Sequence, residues 1–441
     1  MTRKIMIDHF IAMLSIGILI NFEANAQSIS LADAQKIALE NSPRILEMAA
    51  DVEISRAKVQ KALAPQLPQV FLSGRHLLDE KFQVMEINLG PQPTEFPLQQ
   101  PYSLITLGAS LTIFDGFGTV NSYRAARFER SAKELEFDFA RFEIEHKVRI
   151  QFFKALGAQA LVVVSKQNVE ALEAHLEDVK HLIRGGVATR LDLLKVEVQW
   201  EDAKNELLAA EDDAALSIAE LSKLVGLNSL SGDLRGELPT LDPDLAKKIE
   251  TPFPERLDRQ ALVSRESSAL LKASAAKALW FPKIQVFGQQ EWYNFSNPDL
   301  GADSKFRDAY SVGVGLSWSL FDGGASMADR RVAAEEITKS QQNLRALDQS
   351  IPLDVNFWRR KFVHVIAVYK SALNGIKKSE EALRLAKAAV RAGTRTTTDV
   401  LDAEHDLNIA RAKVVHAQVD AVESVSKLEI AVGKDLNLIK F

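Results

Sequence analysis

The sequence predicts a mainly helical α+β fold in which one long unit of strands and helices is used twice. Three landmarks recur at one offset of 207 positions: Phe114-Asp115-Gly116 returns as Phe321-Asp322-Gly323, residues 186–194 return as 393–401, and Gly226 returns as Gly433. A shared offset means that no net insertion separates the landmarks, which is typical of helices of fixed length rather than of loops. The internal two-fold repeat is therefore the first prediction.

The repeat divides the chain into five predicted segments. They are a signal peptide (1–26), a first repeat (27–226), a connector rich in Gly and Pro (227–254), a second repeat (255–433) and a C-terminal tail (434–441).

The first 26 residues have the features of an export signal. Arg3 and Lys4 precede an apolar run that is too short to span a bilayer as a helix, and Ala24-Asn25-Ala26 follows it. The alternative, an N-terminal core helix, leaves the small-residue cleavage site unexplained. The mature chain would begin at Gln27, and the sequence has no cysteine, so an N-terminal lipid anchor on cysteine and a disulfide framework are both excluded.

Composition limits the partners and the mode of membrane entry. A net charge of −5 argues against nucleic acid as a partner. Overall hydropathy is near zero, and no uninterrupted apolar stretch of membrane-spanning length is expected after the signal. If the protein enters a membrane, we expect it to do so with strands.

Four segments are predicted as strands: 69–78, 103–114, 283–292 and 310–321. From Tyr310 to Phe321, apolar residues alternate without a break with small or polar ones, and the segment that begins near Ile105 does the same. Both have about the ten residues that a tilted membrane strand needs, although a half-buried soluble sheet gives the same alternation. Four strands are too few for a membrane barrel, and open edges cannot face lipid. Other copies of the chain must therefore complete any such barrel.

The remaining sequence is predicted to be helical. The predicted helices span 42–64, 116–184, 192–225, 255–279, 323–391 and 399–432. The two longest would each measure about 100 Å, and each is followed by a helix about half as long that returns after a glycine turn. Leu407, Val414, Ala421 and Leu428 recur every seven residues with alanines between them, which indicates a seam for close helix packing.

No constellation for catalysis or for cofactor binding is found in the sequence. The mature chain's histidines share no metal-ligand spacing, and phosphate-loop, zinc-protease and nucleophile-elbow motifs are absent. No cofactor and no metal site are predicted. An enzyme, such as a hydrolase, is the least favoured of three classes of function; the other two are an export duct and a soluble periplasmic coiled-coil adaptor or scaffold.

The motifs together resemble the TolC family of outer-membrane efflux and secretion channels. The resemblance covers essentially the whole mature chain, from Ser30–Pro43 to the most specific segment, Gly393–Ala403. It implies a homotrimer, with four strands per chain forming one transmembrane β-barrel of twelve strands in the outer membrane of a Gram-negative bacterium. A long α-helical barrel would continue into the periplasm. The implied partners are outer-membrane lipid, a periplasmic adaptor (a membrane fusion protein) and an inner-membrane transporter of the ABC or RND type.

The resemblance also implies the site residues. Asp399 and Asp402 match residues that line the channel entrance, as a ring of carboxylates in the trimer. Arg395 and Asp192 match a pair that holds the entrance shut, whereas the family's gate tyrosine is replaced by Val390. The hairpin tips would dock the adaptor, with six residues as the main contact candidates: Gly186, Val187, Thr189, Gly393, Thr394 and Thr396.

The leading hypothesis is therefore a passive exit duct of a tripartite export machine, serving type I secretion or efflux of small molecules and gated at its periplasmic end. The paired amphipathic strands favour this duct over a soluble adaptor, which has no use for them. The tip sequence and the missing cysteine resemble the secretion and multidrug branch more than the lipidated one.

Overall fold

The computed structural model describes residues 28–78, 83–87, 94–98, 101–230, 234–242, 256–294 and 305–440. The predicted signal peptide lies outside the described residues, as does much of the predicted connector.

Seven α-helices are described, and four of them form two matched pairs. They are α1 (Leu31–Asn41), α2 (Pro43–Leu63), α3 (Gly118–Arg184), α4 (Arg190–Val225), α5 (Leu257–Lys277), α6 (Ala325–Arg391) and α7 (Thr397–Val432). Helices α3 and α6 have 67 residues each, α4 and α7 have 36 each, and the starts and ends within each pair lie 207 positions apart. The long helices α3 and α6 are each about 100 Å in length.

The repeated Phe-Asp-Gly motif is the junction at which a strand turns into a long helix. Gly116 and Gly323 have positive φ angles of 68° and 72°, which glycine adopts without a steric penalty. The Asp115 carboxylate then accepts a hydrogen bond of 2.8 Å from the Thr119 backbone N–H, and Asp322 accepts one of 2.8 Å from that of Ser326. Both aspartates thus satisfy free N–H groups in the first turn of their helices.

Six strands are described in two antiparallel sheets. They are β1 (Gln69–His76), β2 (Gln83–Ile87), β3 (Thr94–Leu98), β4 (Ser103–Phe114), β5 (Lys283–Asn294) and β6 (Arg307–Ser317). The main sheet has the order β1-β4-β5-β6, and β2 pairs with β3. These elements confirm the predicted mainly helical α+β class.

Two predictions about the strands were wrong. The four predicted strands include none between β1 and β4, but the backbone of residues 83–87 pairs with that of 94–98. A two-stranded sheet consists only of edge strands, in which proline is tolerated. The fourth strand of the main sheet was expected to span 310–321, but it spans 307–317. Trp318 and Leu320 therefore lie beyond its end and not on its apolar face.

The strand register brings the alternating apolar residues of three strands onto one face of the main sheet. Val314 of β6 pairs with Val286 of β5, which pairs in turn with Leu111 of β4. The opposite face carries Gly108, Gly313 and Gly315, and the ring of Phe287 lies over Gly313 on the neighbouring strand. The apolar face is uncovered in one chain: along β6 the exposed fractions are Tyr310 80%, Val312 76%, Val314 69% and Leu316 67%.

The helices pack side by side and leave both flanks of the chain open. Near the sheet, α3 packs between α2 and α5, and α6 packs on the far side of α5. Further from the sheet, α3 packs between α4 and α7, and α6 packs on the far side of α7. One flank of the chain thus carries β1, α2 and α4, and the other carries β6 and α6. Most residues in the first half of α6 are exposed.

Three apolar clusters hold the helices together. The largest joins α1, α2, α3 and α4 around Phe152 and Leu221; the second joins α6 and α7 to the chain's last residues around Phe362. The third lies near the hairpin tips, where Leu401 of α7 packs into the core between α3 and α4. The predicted seven-residue seam lies in α7, where Leu407, Ala421 and Leu428 are buried and Val414 is half-buried.

One of the described helices, α3, is long and apolar enough over an 18-residue window to cross a membrane by length and composition. Apolar residues of α3, such as Phe152, Phe153 and Leu156, contribute to the largest core cluster, so burial inside the protein accounts for apolar sequence in this helix.

Candidate functional site at the hairpin tips

The two helical hairpins, α3–α4 and α6–α7, reverse direction in turns of the same geometry. Gly186 and Gly393 have φ angles of 75° and 69°, in the left-handed region that favours glycine. A Cβ atom added at either position would meet no atom within 4 Å. The tips therefore need these glycines for their backbone conformation and not because neighbouring atoms crowd them.

The aspartates at the start of the returning helices act as capping groups. Asp192 accepts hydrogen bonds from the Thr189 backbone N–H at 2.8 Å and from its hydroxyl at 2.6 Å. Asp399 accepts the equivalent bonds from Thr396, at 2.9 and 2.8 Å. The Thr189 hydroxyl and backbone lower the pKa of Asp192, and those of Thr396 lower the pKa of Asp399. Both carboxylates stay ionised at neutral pH.

The predicted gate pair, Arg395 and Asp192, is not brought together within one chain. The Arg395 guanidinium instead lies 3.1 Å from the Asp399 carboxylate, one turn along in the same hairpin. Asp192 instead lies near another residue of the second hairpin, because the side chain of the buried Thr397 helps to lower the pKa of its carboxylate. Within a single chain, Thr397 is therefore the residue of the second hairpin that faces Asp192.

Of the other residues at the predicted entrance and docking surface, all are exposed except Val390. Asp402 is exposed on α7, one turn after Asp399, so its carboxylate can face a channel axis. Val390, in place of the family's tyrosine, is buried at 6% exposure and packs inside the protein. The six docking candidates are all exposed: Gly186, Val187, Thr189, Gly393, Thr394 and Thr396.

A buried polar cluster lies where the two hairpins meet, beside the tips. His175 of α3 is 5% exposed and lies beside the Thr397 backbone, and its Nε2 atom has no hydrogen-bond partner among the described residues. Glu404 of α7 is 4% exposed, and Lys387 Nζ of α6 lies 2.9 Å from its Oε1 atom. The angle of this ion pair falls outside hydrogen-bond geometry, so neither oxygen of Glu404 accepts an aligned hydrogen bond within the described part of the chain.

A second buried cluster fastens the C-terminal end of α7 to the middle of α3. Glu429 is 1% exposed and receives Arg149 Nη1 at 2.6 Å, His146 Nε2 at 3.1 Å and the Leu436 backbone N–H at 2.9 Å. Asp435 lies 3.2 Å from the same histidine nitrogen. His146, Glu429 and Asp435 could hold a metal ion by distance, but Arg149 already neutralises part of their charge.

Sequence reasoning missed both clusters because their members are far apart along the chain. His175 precedes Glu404 by more than 200 positions, and 283 positions separate His146 from Glu429. A search for ligand spacing within one helix cannot find such pairs. The sequence does indicate these residues by their position around the helix axis. Each falls on the apolar face of a long helix, where a charged side chain requires a partner.

Comparison with protein families decides which family has this architecture. The model of the family described as outer membrane efflux protein matches residues 35–227 and 255–434, which is both repeats and most of the chain. The chain belongs to the outer membrane efflux protein family. It is an outer-membrane exit duct, and its location is the outer membrane of a Gram-negative bacterium.

Similar proteins span nearly the whole chain at low identity. Outer membrane protein TolC of Vibrio cholerae is 22% identical over 420 residues, which cover 92% of this chain and 90% of that protein. Alkaline protease secretion protein AprF of Pseudomonas aeruginosa is 22% identical over 439 residues, covering 94% of this chain and 87% of that protein. Relatives of this family thus include a protein named for protease secretion.

Solved structures have the same fold. A membrane protein from Pseudomonas aeruginosa superposes with a TM-score of 0.78 at 20% identity, covering 91% of this chain and 93% of that one. The outer membrane protein VceC from Vibrio cholerae superposes with a TM-score of 0.75 at 18% identity, covering 92% of this chain and 97% of that one.

Proposed function

We propose that three copies of this chain assemble into a passive duct with no catalytic activity of its own, in which three sheets close one barrel of twelve strands. The observation that carries this proposal is the pair of open flanks. The edge strand β1 and the edge strand β6 lie at opposite ends of the sheet, with α2 and α4 on the first flank and α6 on the second.

Open flanks of this kind favour a ring. Backbone groups at a sheet edge cannot remain unpaired in lipid, so β6 of one copy must pair with β1 of the next. This head-to-tail contact is heterologous, and it produces a closed ring when its rotation divides the circle evenly. The exposed half of α6 would then be covered by α2 of the neighbouring copy.

The entrance would lie at the hairpin tips. In a trimer, the exposed Asp402 carboxylates form one ring and the capping Asp399 carboxylates form a second ring one turn away. The guanidinium of Arg395 could close the entrance by reaching Asp192 of an adjacent copy, which requires it to release Asp399. The exposed tip residues around Gly186 and Gly393 would contact a periplasmic adaptor, beneath which an ABC or RND transporter supplies the energy.

The cargo is proposed from the relatives' names alone. They include proteins named for protease secretion and proteins named for efflux, so we propose that the duct serves type I secretion or the efflux of small molecules. Crosslinking of the hairpin tips in cells, followed by identification of the captured adaptor and transporter, tests this choice. An ABC transporter among the captured proteins would favour secretion, and an RND transporter would favour efflux.

The channel itself is tested by single-channel recording of the purified protein in planar bilayers. We expect cation-selective channels that multivalent cations block from the periplasmic side. Asp402→Ala should weaken both selectivity and block, because it removes a converging ring of charge without removing a helix cap. Asp420→Ala, an exposed carboxylate of α7 about five turns away from the tips, is the matched control. An assembled Asp402→Ala channel with unchanged selectivity and block would exclude the entrance ring.

A further inference from the structure

The contact between the two hairpins, called the seam from here on, contains a histidine, His175, whose polar ring atoms no structural role explains. His175 lies next to the apolar tip cluster formed by its neighbours Leu172, Leu176 and Val179. Its Nε2 atom is buried and has no hydrogen-bond partner among the described residues, and Glu404 is held by its ion pair with Lys387 but accepts no aligned hydrogen bond there. Natural proteins rarely leave buried polar groups in this condition, and such groups commonly mark a function that requires them.

We infer that His175, Glu404 and Lys387 form a proton-operated release between the two hairpins, through which acidification on the periplasmic side opens the entrance. This inference rests on the proposed function, since it requires that the hairpin tips form the entrance. Three helices meet at the cluster: His175 comes from α3, Lys387 from α6 and Glu404 from α7. Parting of the two hairpins therefore exposes all three side chains to water.

The direction of the effect follows from burial and from the surrounding charges. Burial lowers the pKa of His175; the Glu404 carboxylate opposes this shift, Lys387 adds to it, and Asp178 on α3 itself opposes it. The net result is a lowered pKa, so the imidazole is neutral while the hairpins are packed together. When they part, the ring is solvated and its pKa returns to about 6.5.

Protonation therefore favours the parted arrangement. Above pH 6.5 the ring is neutral in both arrangements, and pH has no effect on their ratio. Below that value the parted arrangement binds a proton that the packed one does not bind. The ratio of parted to packed seams rises about ten-fold per pH unit in each chain, until the lowered pKa is reached. In a ring of identical chains these factors multiply.

The nearby carboxylates do not respond in the same pH window. The pKa values of Asp192 and Asp399 lie below the usual aspartate value because of their capping threonines, so both remain charged between pH 7.5 and 5.5. A response in that window therefore has to come from another group.

The test is single-channel recording of the full-length protein with the periplasmic-side chamber at pH 7.5, 6.5 and 5.5. We expect the open probability to rise at least ten-fold between pH 6.5 and 5.5. His175→Gln should abolish this rise, because glutamine keeps a polar amide at the site but does not titrate. His181→Gln is the matched control: His181 is an exposed histidine nearer the tip of the same helix, and its variant should retain the full response.

Two charge variants should move the response in opposite directions. Glu404→Gln removes the carboxylate that favours protonation of the packed ring, so the rise should continue to lower pH before it levels off. Lys387→Gln removes a cation that opposes this protonation, so the rise should level off at higher pH. A shift of both variants in the same direction, or an unchanged acid response in His175→Gln, would overturn the inference.

A labelling measurement decides the question even if a His175 variant does not assemble. The chain has no cysteine, so a cysteine placed at the buried Leu401 reports only on the seam. With His175 intact, the rate at which a water-soluble maleimide modifies the Leu401 cysteine is compared with its rate at a cysteine placed at the exposed Val198. The ratio of the first rate to the second should rise between pH 7.5 and pH 5.5. An unchanged ratio would also overturn the inference. Absence of channels at every pH would instead count against the proposed duct, whereas channels without a pH response would count against the release alone.

Discussion

Gly226 closes the first helical hairpin against the turn between α1 and α2. Its φ angle is 81°, and a Cβ atom added there would collide with the carbonyl group of Asn41. The tip glycines Gly186 and Gly393 have similar φ angles but open surroundings. At the tips, glycine is therefore required for its backbone conformation alone. At Gly226, it is required both for this conformation and for the close approach of the Asn41 backbone.

We expect Gly186→Ala and Gly393→Ala each to cost about 1–2 kcal/mol, the strain of a left-handed alanine. Gly226→Ala should cost more, because the backbone at Asn41 must also move. Thermal dissociation of the detergent-solubilised oligomer on gels measures the order of these costs. A Gly226→Ala oligomer as stable as the two tip variants would contradict the close approach. Tip variants that assemble normally also allow a clean test of adaptor docking.

The charge of Glu429 stabilises the buried cluster that joins the C-terminal end of α7 to the middle of α3. Burial alone would raise its pKa, but the hydrogen bonds from His146 and from the Leu436 backbone, together with the charge of Arg149, lower it overall. Its contribution to stability is therefore present above the ordinary glutamate pKa of about 4.3 and is lost as the pH falls through the lowered value.

Glu429→Gln should destabilise the folded chain by roughly 3 kcal/mol at pH 7, because it leaves the half-buried Arg149 beside His146 without a full counter-charge. The difference from the unmodified protein should shrink as the pH falls below about 4. Urea unfolding of the helical domain, followed by circular dichroism, measures both effects. Glu423→Gln on the same helix is the control: its ion pair with Lys154 is partly exposed and should contribute less than about 1 kcal/mol. Equal losses from both variants would mean that the buried network has no special role.

At the scale of elements, the main sheet has two faces that differ in what they tolerate. Val314 lies on the apolar face beside Val286, and Gly313 lies on the opposite face under the ring of Phe287. If the apolar face meets lipid, a charge at Val314 is buried in hydrocarbon, whereas a charge at Gly313 points into the lumen.

We expect Val314→Arg to reduce barrel assembly by about 2–4 kcal/mol. Gly313→Arg should assemble more readily once Phe287 moves aside, and it should lower conductance by crowding the pore. Heat-modifiable migration on gels reports assembly, and planar bilayers report conductance. Lipid-soluble labels at Val312 and Val314 distinguish a membrane barrel from a soluble sheet, since only a barrel exposes these positions to lipid. Equal assembly of the two arginine variants would contradict the assigned faces.

Six of the seven described helices were predicted from the sequence to within a few residues, whereas α1, the strand ends and the buried clusters were not. Every long helix begins at a glycine or threonine turn and has a copy 207 positions away, so each boundary is specified twice. The end of β6 has no such local signal, because alternation continues to Leu320 although strand pairing stops at Ser317. Pairings such as His175 with Glu404 depend on how two hairpins pack, and tertiary packing is not encoded in the spacing within one helix.

At the scale of the whole molecule, each flank of the chain is incomplete without another copy. The prediction is that β6 of one copy pairs with β1 of the next and that the ring closes at three. A cysteine at Ser73 in β1, combined in turn with cysteines along the Ser311 face of β6, should give disulfide-linked ladders that end at the trimer. The chain's lack of native cysteine keeps this test clean. Moving the β1 cysteine to Leu72, on the opposite face, should prevent the crosslink. A ladder that ends at two or continues beyond three would exclude the trimer.

The equal lengths of the two hairpins limit how this chain can change. Deleting one residue from a helix shortens it by about 1.5 Å and rotates everything beyond the deletion by about 100°. Such a change in α3 alone would leave one tip short of the level of the other and would turn its buried stripe away from α7. Insertions and deletions are therefore tolerable only as matched sets that restore both level and facing, in all four long helices at once. Each hairpin therefore limits the length that the other can adopt. As a result, the distance that the molecule extends below the membrane can change only when both hairpins change together.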